Sequence, residues 1–377
     1  MVIGTPLETR QHEHRVGLTP FGVAQLTQAG HTVLVQKDAG RAARFADHDY
    51  QKSGAQIVYD AEEIYRRSDV VCRVGALGAE EVGVLKPGSV VCAFHHLAVT
   101  PRAHVEKLMA LGITLVGYEV IRDSAGDLPV LTPMSEMAGQ MAVHVAAHLL
   151  QNDNGGRGIL IGSVAGVPPP TVLVLGAGTV GRNAACRALA NGAHVVVIDA
   201  DLKKLRKLNR EFQGRIVTVV AASERLERYT GIADVVIGAV LIPGARAPFV
   251  VTAEMVRAMK PGSVIVDVSI DQGGCVATSR PTSIDDPTFV AHDVVHYCVP
   301  NMTANLARTA SRALASAAVP YLTALANKTV RGALQEDPDL GAGVYLYRGK
   351  MVNRTVGETL GLPVSDLNDL LAAGERS

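Results

Sequence analysis

Three places in this chain combine residue types and spacing that could do chemistry. The first is Gly176-Ala177-Gly178-Thr179-Val180-Gly181, which follows the apolar run Thr171-Val172-Leu173-Val174-Leu175 and opens a helix-like segment at 182–190. A second apolar run, 194–198, then ends on Asp199, 23 residues after the first glycine. Glycines at these positions permit a tight turn, close approach of backbone to a pyrophosphate, and packing of helix on strand. Exposed N–H groups and the positive end of the helix dipole offset phosphate charge. Asp199 can accept hydrogen bonds from ribose hydroxyls and would repel a 2′-phosphate, so the pattern predicts NAD rather than NADP. The second and third places are Phe94-His95-His96 and Ile270-Asp271-Gln272, polar residues at the ends of apolar runs. Ligands of open α/β sheets bind just beyond the carboxyl ends of strands. Histidine as a residue type suits proton transfer near neutrality. His95 and His96 should point to opposite faces if their strand persists, which leaves the choice between them open.

A fourth spacing is set aside. His144 and His148 lie four apart on a helical pattern, but no HExxH glutamate and no third ligand accompany them, so no metal is expected. The five cysteines form no CxxC pair and read as reduced, mostly buried thiols.

These groups need a scaffold. Short β-branched runs alternate with amphipathic stretches nearly throughout, the signature of parallel sheets. Strands are expected at 32–36, 69–74, 89–94 and 113–120, with helices at 20–29, 61–67 and 101–111. A second series of strands follows at 171–175, 194–198, 215–220, 235–237 and 263–268. The turn Leu85-Lys86-Pro87-Gly88-Ser89-Val90 recurs in kind as Met259-Lys260-Pro261-Gly262-Ser263-Val264. Shared turn chemistry is the expected reason, with structural duplication as the alternative. Apolar residues from Met134 to Leu150 repeat with helical period, and the alanine-rich stretch 306–325 carries Pro320, which should kink or split it. The expected fold is α/β: two Rossmann-like domains with parallel sheets, linked by long helices. Residues 1–131 and 305–377 would form a substrate domain and 132–304 an NAD-binding domain.

Composition narrows the class. The 377 residues exceed what one core usually serves, and 36 basic residues balance 36 acidic ones, so no net positive field attracts nucleic acid or an anionic membrane. The apolar stretch from Val235 to Ala245 is 11 residues long and broken by Gly238, Pro243 and Gly244, well short of the roughly 18 a spanning helix needs. The first residues carry no apolar leader, so a cytoplasmic location is expected.

The chain resembles the alanine dehydrogenases, sisters of the NAD-binding component of transhydrogenase. The resemblance rests on Gly4-Thr5-Pro6-Leu7-Glu8-Thr9-Arg10, Glu13-His14-Arg15-Val16, Phe94-His95-His96-Leu97-Ala98 and Pro133-Met134-Ser135-Glu136-Met137-Ala138-Gly139. It continues in the glycine loop, Gly238-Ala239-Val240-Leu241-Ile242-Pro243-Gly244, Asp267-Val268-Ser269-Ile270-Asp271-Gln272-Gly273-Gly274 and Tyr297-Cys298-Val299-Pro300-Asn301-Met302. It implies reversible, NAD-dependent oxidation of L-alanine to pyruvate and ammonium by a homo-oligomer, commonly a hexamer. Arg15 matches the carboxylate-binding arginine, His96 the catalytic histidine and Asp271 the active-site aspartate, with Asp267 as that acid's rival. Ser135, Asn301 and Met302 match contacts near the nicotinamide, Asn301 serving the substrate too. Lys204, Val240 and Leu241, with Gly176, Gly178, Thr179, Val180, Gly181 and Asp199, match positions along the dinucleotide. One departure stands out: the family's Lys-Val-Lys-Glu-Pro reads Arg73-Val74-Gly75-Ala76-Leu77 here. Either the substrate differs and fills the space over Gly75, or Arg73, which shares its face, reaches in, or alanine activity is weakened. Rival readings are a same-fold dehydrogenase or imine reductase for another amino or keto acid, and a non-catalytic NAD-binding regulator or subunit.

Overall fold

In the computed structural model, residues 1–242 and 245–373 are described; Pro243 and Gly244, which end one of the motifs above, lie outside them. The strands are β1 (Val2–Thr5), β2 (Thr32–Gln36), β3 (Gln56–Val58), β4 (Val70–Cys72), β5 (Val90–Ala93), β6 (Thr114–Gly117), β7 (Thr171–Leu175), β8 (His194–Asp199), β9 (Val217–Val220), β10 (Val235–Gly238), β11 (Val264–Asp267), β12 (Thr288–Ala291), β13 (Val294–Tyr297), β14 (Val344–Tyr347) and β15 (Lys350–Met351). They form two sheets in two compact units. One unit comprises residues 1–134 and 304–373 with Ala245, the other 135–242 and 246–303. The helix Thr132–Leu149 carries the chain across that division.

The first sheet has the order β15-β14-β6-β5-β4-β1-β2-β3 and the second β12-β13-β11-β10-β7-β8-β9. Both are mostly parallel. The expected parallel sheets carry antiparallel strands at their edges: β14 runs antiparallel to β6, β15 to β14, and β12 to β13. These hairpin partners at the sheet edges come from segments whose short runs gave no strand signal.

Aligned on their central strands β1 and β7, the two orders correspond position by position from β14 and β12 to β3 and β9, with β15 as an added edge strand. The likeness extends to side chains. Asp69, just before β4, accepts the Val2 amide (2.8 Å) and pairs with Lys86 (2.5 Å). Asp234, just before β10, accepts the Thr171 amide (2.9 Å) and pairs with Lys260 (2.9 Å). Both lysines belong to the repeated turn, and Gly88 and Gly262 both adopt φ near +75°. The repeat therefore marks a duplicated topology, and shared turn chemistry alone is too modest a reading.

Burial follows the two-residue period of strands. On one face of the second sheet Val172, Val174, Val195, Val197, Val235, Ile237, Val264 and Val266 join one cluster. Leu173, Leu175, Val196, Ile198, Val236 and Ile265 join another on the opposite face. The helix Ala307–Asn327 continues through Pro320, so the proline does not split it. Leu314, Ala315, Ala318, Val319, Leu322 and Leu325 on that helix are buried, and their packing outweighs the one hydrogen bond the proline removes.

Candidate functional site

In the second unit, β7 ends at Leu175 and the helix Thr179–Ala190 begins four residues later. The three glycines between and just inside differ in what they permit. Gly176 sits at φ +105°, and a Cβ there would lie 2.3 Å from the Ala239 carbonyl oxygen. A Cβ on Gly181 would fall 1.9 Å from the Gly176 carbonyl oxygen, so helix and turn touch through bare backbone. Gly178, at the helix N-cap, has nothing within 4 Å of where its Cβ would be. That open cradle beside uncapped helix amides is the room a pyrophosphate requires. Gly139 closes the arrangement from the helix Thr132–Leu149, where a Cβ would stand 2.3 Å from the Val180 carbonyl oxygen.

Asp199 closes β8 and its carboxylate is already oriented. Oδ2 accepts from the Ala177 amide inside the glycine turn (2.6 Å), and Oδ1 from the Asp201 amide (2.7 Å). Thr179 and Val180 lie in the first turn of the following helix, half-buried, and Lys204 is exposed on the helix Leu202–Glu211. The Val240 amide donates to Ser269 Oγ (2.9 Å), Leu241 is exposed, and Ser135 and Met302 are buried.

Asp271 lies in the single turn Val268–Gln272 that follows β11, and its Oδ1 accepts the Asn301 amide at 2.7 Å. Asn301 adopts a left-handed φ of 51°. The structure thus brings together two residues that lie thirty apart in sequence. Asp267 has the different role its burial demands. At 1% exposure it accepts the amides of Cys275 (3.0 Å) and Val276 (3.3 Å). Burial pushes its carboxyl above the usual range, against the pull of those hydrogen bonds.

In the first unit, Arg15 is buried and held in a bidentate pair by Glu13 at 2.7 and 2.6 Å, with Nη1 3.7 Å from Met134 Sδ. β5 stops at Ala93, so the strand-alternation argument for the histidine pair does not apply. His96 instead takes the left-handed conformation (φ 49°, ψ 42°) and is half-buried. His95 is buried; its Nε2 lies 3.2 Å from the Val91 carbonyl oxygen, and burial brings its pKa down to about 4. A neutral, enclosed His95 packs, and His96 is the histidine of the pair that solvent can reach.

Arg73 needs a correction. Its side chain is 1% exposed, and Nη2 meets Glu8 (3.1 Å) while Nη1 meets Glu81 (2.6 Å) and the Tyr65 hydroxyl (3.0 Å). A guanidinium so enclosed cannot reach in for a missing lysine; it serves the buried network around Glu8. Glu8 Oε1 also accepts the Val74 amide at 2.6 Å. Burial raises the Glu8 carboxyl above its ordinary range in spite of Arg73, and nearby Glu13 adds to the rise. Burial would raise Glu81 too, but Arg73, the Gly78 amide and Tyr65 together hold it low. A Cβ on Gly75 would meet only Glu8 Oε2, at 3.4 Å. His144 and His148 are both exposed, and among the described residues no group of three or more His, Cys, Asp or Glu could hold a metal.

Comparison with known proteins agrees with this geometry. Residues 4–138 match the N-terminal domain of the alanine dehydrogenase/PNT family and residues 142–354 its C-terminal domain. The chain belongs to that family. The alanine dehydrogenase of Mycobacterium tuberculosis is 44% identical, covering 99% of this chain and 100% of its own. That of Halomonas elongata is 43% identical over 98% and 100%. A solved L-alanine dehydrogenase superposes with a TM-score of 0.89 at 40% identity, covering 96% of this chain and 99% of the other. The transhydrogenase of Sinorhizobium meliloti shares the fold, with a TM-score of 0.78 at 24% identity. For a member of this family, the open cradle at Gly178 and the oriented Asp199 fit a dinucleotide. Sequence reasoning missed Glu119, whose buried carboxylate accepts the His96 amide at 2.6 Å. Its signal was a lone acid closing the apolar run 113–120, where burial obliges it to find donors.

Proposed function

We propose that this chain is an NAD-dependent alanine dehydrogenase that converts L-alanine and water to pyruvate and ammonium, reversibly. The observation that carries the reading is full-length identity above 40% to proteins of that name, joined to a glycine turn with open space at Gly178. The chemistry that bound NAD supplies is acceptance of a hydride from the substrate α-carbon. Gly176, Gly178 and Gly181 hold the pyrophosphate on backbone, with Thr179 and Val180 donating main-chain amides from the helix start. Asp199 takes the ribose hydroxyls and disfavours a 2′-phosphate. Lys204, Ser135, Val240, Leu241, Asn301 and Met302 line the rest of the cofactor's length.

Arg15 takes the substrate carboxylate, its fork fixed by Glu13 so that little order is lost on binding. Asn301 adds a polar contact to the substrate. His96 moves the proton that leaves or joins the reacting nitrogen and oxygen. Asp271 orients the amine or the attacking water, and its grip on the Asn301 amide fixes the direction of its carboxylate. The enzyme acts in the cytoplasm as a homo-oligomer, a hexamer by family resemblance; light scattering on the purified chain measures that mass directly.

Gly75 favours a second reading within the same fold, a dehydrogenase for another amino acid, because the space a lysine would fill is bounded by a carboxylate. A panel of small L-amino acids with NAD⁺, followed at 340 nm, tests both. Fastest turnover of L-alanine supports the first reading, and a clear preference for a larger or second-charged substrate supports the second. NADH binding without turnover of any substrate would refute both.

A further inference from the structure

Glu119 lies just past β6, one strand over from the end of β5, and is 3% exposed. Three donors converge on its carboxylate: the His96 amide at 2.6 Å, the His95 amide at 3.3 Å and the Tyr345 hydroxyl at 3.0 Å. Tyr345 comes from β14, the returning strand that pairs antiparallel with β6. Its ring occupies the space over Gly117, where a Cβ would stand 2.2 Å from Tyr345 Cε2. It also meets the His95 ring edge-on at 6.3 Å between centroids. The two amides that turn toward this carboxylate lead directly into His96, whose left-handed conformation a residue with a side chain holds only when its surroundings compensate.

We propose that Glu119, oriented by Tyr345, is a positioning residue that holds His96 in its working backbone conformation. Hydrogen bonds donated by two main-chain amides to one buried carboxyl group are strong enough to outweigh the local strain. The hydroxyl of Tyr345 keeps the carboxylate from rotating away from the two amides. The segment after residue 304 is thereby part of the catalytic machinery: it carries the group that steadies the acid that steadies the histidine. This inference rests on the reading of His96 as the proton-transfer residue.

The test compares the wild type with His96→Ala, Glu119→Gln, Glu119→Ala and Tyr345→Phe as full chains. The quantities are kcat and KM for L-alanine and the NADH dissociation constant by fluorescence. Loss of the acceptor for all three donors should lower kcat roughly 10- to 100-fold in Glu119→Ala, and less in Glu119→Gln, whose Oε1 still accepts the His96 amide and the Tyr345 hydroxyl. KM and NADH affinity should stay within about threefold, because neither ligand touches Glu119. Tyr345→Phe should lower kcat by roughly 3- to 10-fold with the same split. Wild-type kcat in Glu119→Ala overturns the inference, as does a joint collapse of kcat, KM and NADH affinity in Tyr345→Phe, which would mark a structural role. Should Glu119→Ala fail to fold, wild-type kcat in Tyr345→Phe overturns it alone. A wild-type chain that binds NADH but oxidises no amino acid overturns this inference together with the proposed function. An active wild type with unaffected variants overturns only the former.

Discussion

Gly75→Lys is the perturbation that most directly probes how this chain departs from its family. The site accepts a side chain: Gly75 is not among the residues with positive φ, and its Cβ would contact only Glu8 Oε2 at 3.4 Å. Beside it, Glu8 pairs with Arg73, which also pairs with Glu81. An added ammonium about 4 Å from Glu8 is worth about 4 kcal/mol at an effective dielectric near 20. Desolvating that ammonium at a half-buried position removes a large share, leaving about 1–2 kcal/mol. If the substrate carboxylate shares the benefit, kcat/KM for L-alanine rises about tenfold, read as NADH formation at 340 nm. Stability gives an independent readout. Burial raises the Glu8 carboxyl above 4.5, so its contribution is fully present below that pH and is lost as pH rises through the folded value. An ammonium beside it lowers the folded value and shrinks that loss. The melting temperature of the variant should therefore gain on the wild type as pH is raised from about 4 to 8. Unchanged kcat/KM together with a pH-independent difference in melting temperature would refute the charge argument.

Two further changes probe the cofactor half. Asp199→Ala removes the acceptor for the Ala177 and Asp201 amides as well as the ribose ligand. The preference for NAD over NADP in kcat/KM should shrink by roughly tenfold or more, and an undiminished preference would reassign the selectivity. Gly181→Ala puts a methyl group 1.9 Å from the Gly176 carbonyl oxygen, a backbone atom that cannot swing aside. The helix must move, costing roughly 1–3 kcal/mol of stability and weakening NADH binding at least about tenfold by fluorescence titration. Wild-type affinity in that variant would show the turn to be looser than its contacts imply.

How legible this molecule is in its sequence depends on where each constraint lies. The glycine turn is local: β7, the turn, the helix and Asp199 lie within thirty residues, and each residue type answers a need of its neighbours. Parallel strands also announce themselves, since burial on both faces demands continuous apolar runs such as Thr171–Leu175. The edge hairpins do not, because β15 has two residues and β12 is only half covered. The histidine pair failed as a strand argument for a non-local reason. What turns His96 out of the strand is Glu119, twenty-three residues on, and what steadies Glu119 is Tyr345, more than two hundred further. Arg73 misled similarly, since sharing a face with Gly75 says nothing of the two carboxylates that enclose it. Sequence period reports which face a side chain takes; who meets it there is settled by packing.

The duplicated topology sharpens the question of why one unit would bind a dinucleotide and the other would not. β1 and β7 hold the same central place in their sheets. After β7 the helix Thr179–Ala190 begins within four residues, and its uncapped amides point into open space at Gly178. After β1 the next helix, Pro20–Gln28, begins fifteen residues later, so a long loop separates the strand's end from the helix N-terminus. In that place the chain carries Glu8, buried and anchored to the Val74 amide and Arg73. A carboxylate there opposes phosphate as firmly as helix amides attract it. Gly4 on β1 gives no cradle either, since a Cβ would strike Ser68 Oγ at 2.1 Å. The same scaffold thus offers an anion site in one unit and an acid in the other. Calorimetric titration with NADH should find one site per chain, abolished or weakened by Gly181→Ala and indifferent to Glu8→Gln. Two equivalent sites per chain, or loss of NADH binding in Glu8→Gln with Gly181→Ala unaffected, would invert this division of labour.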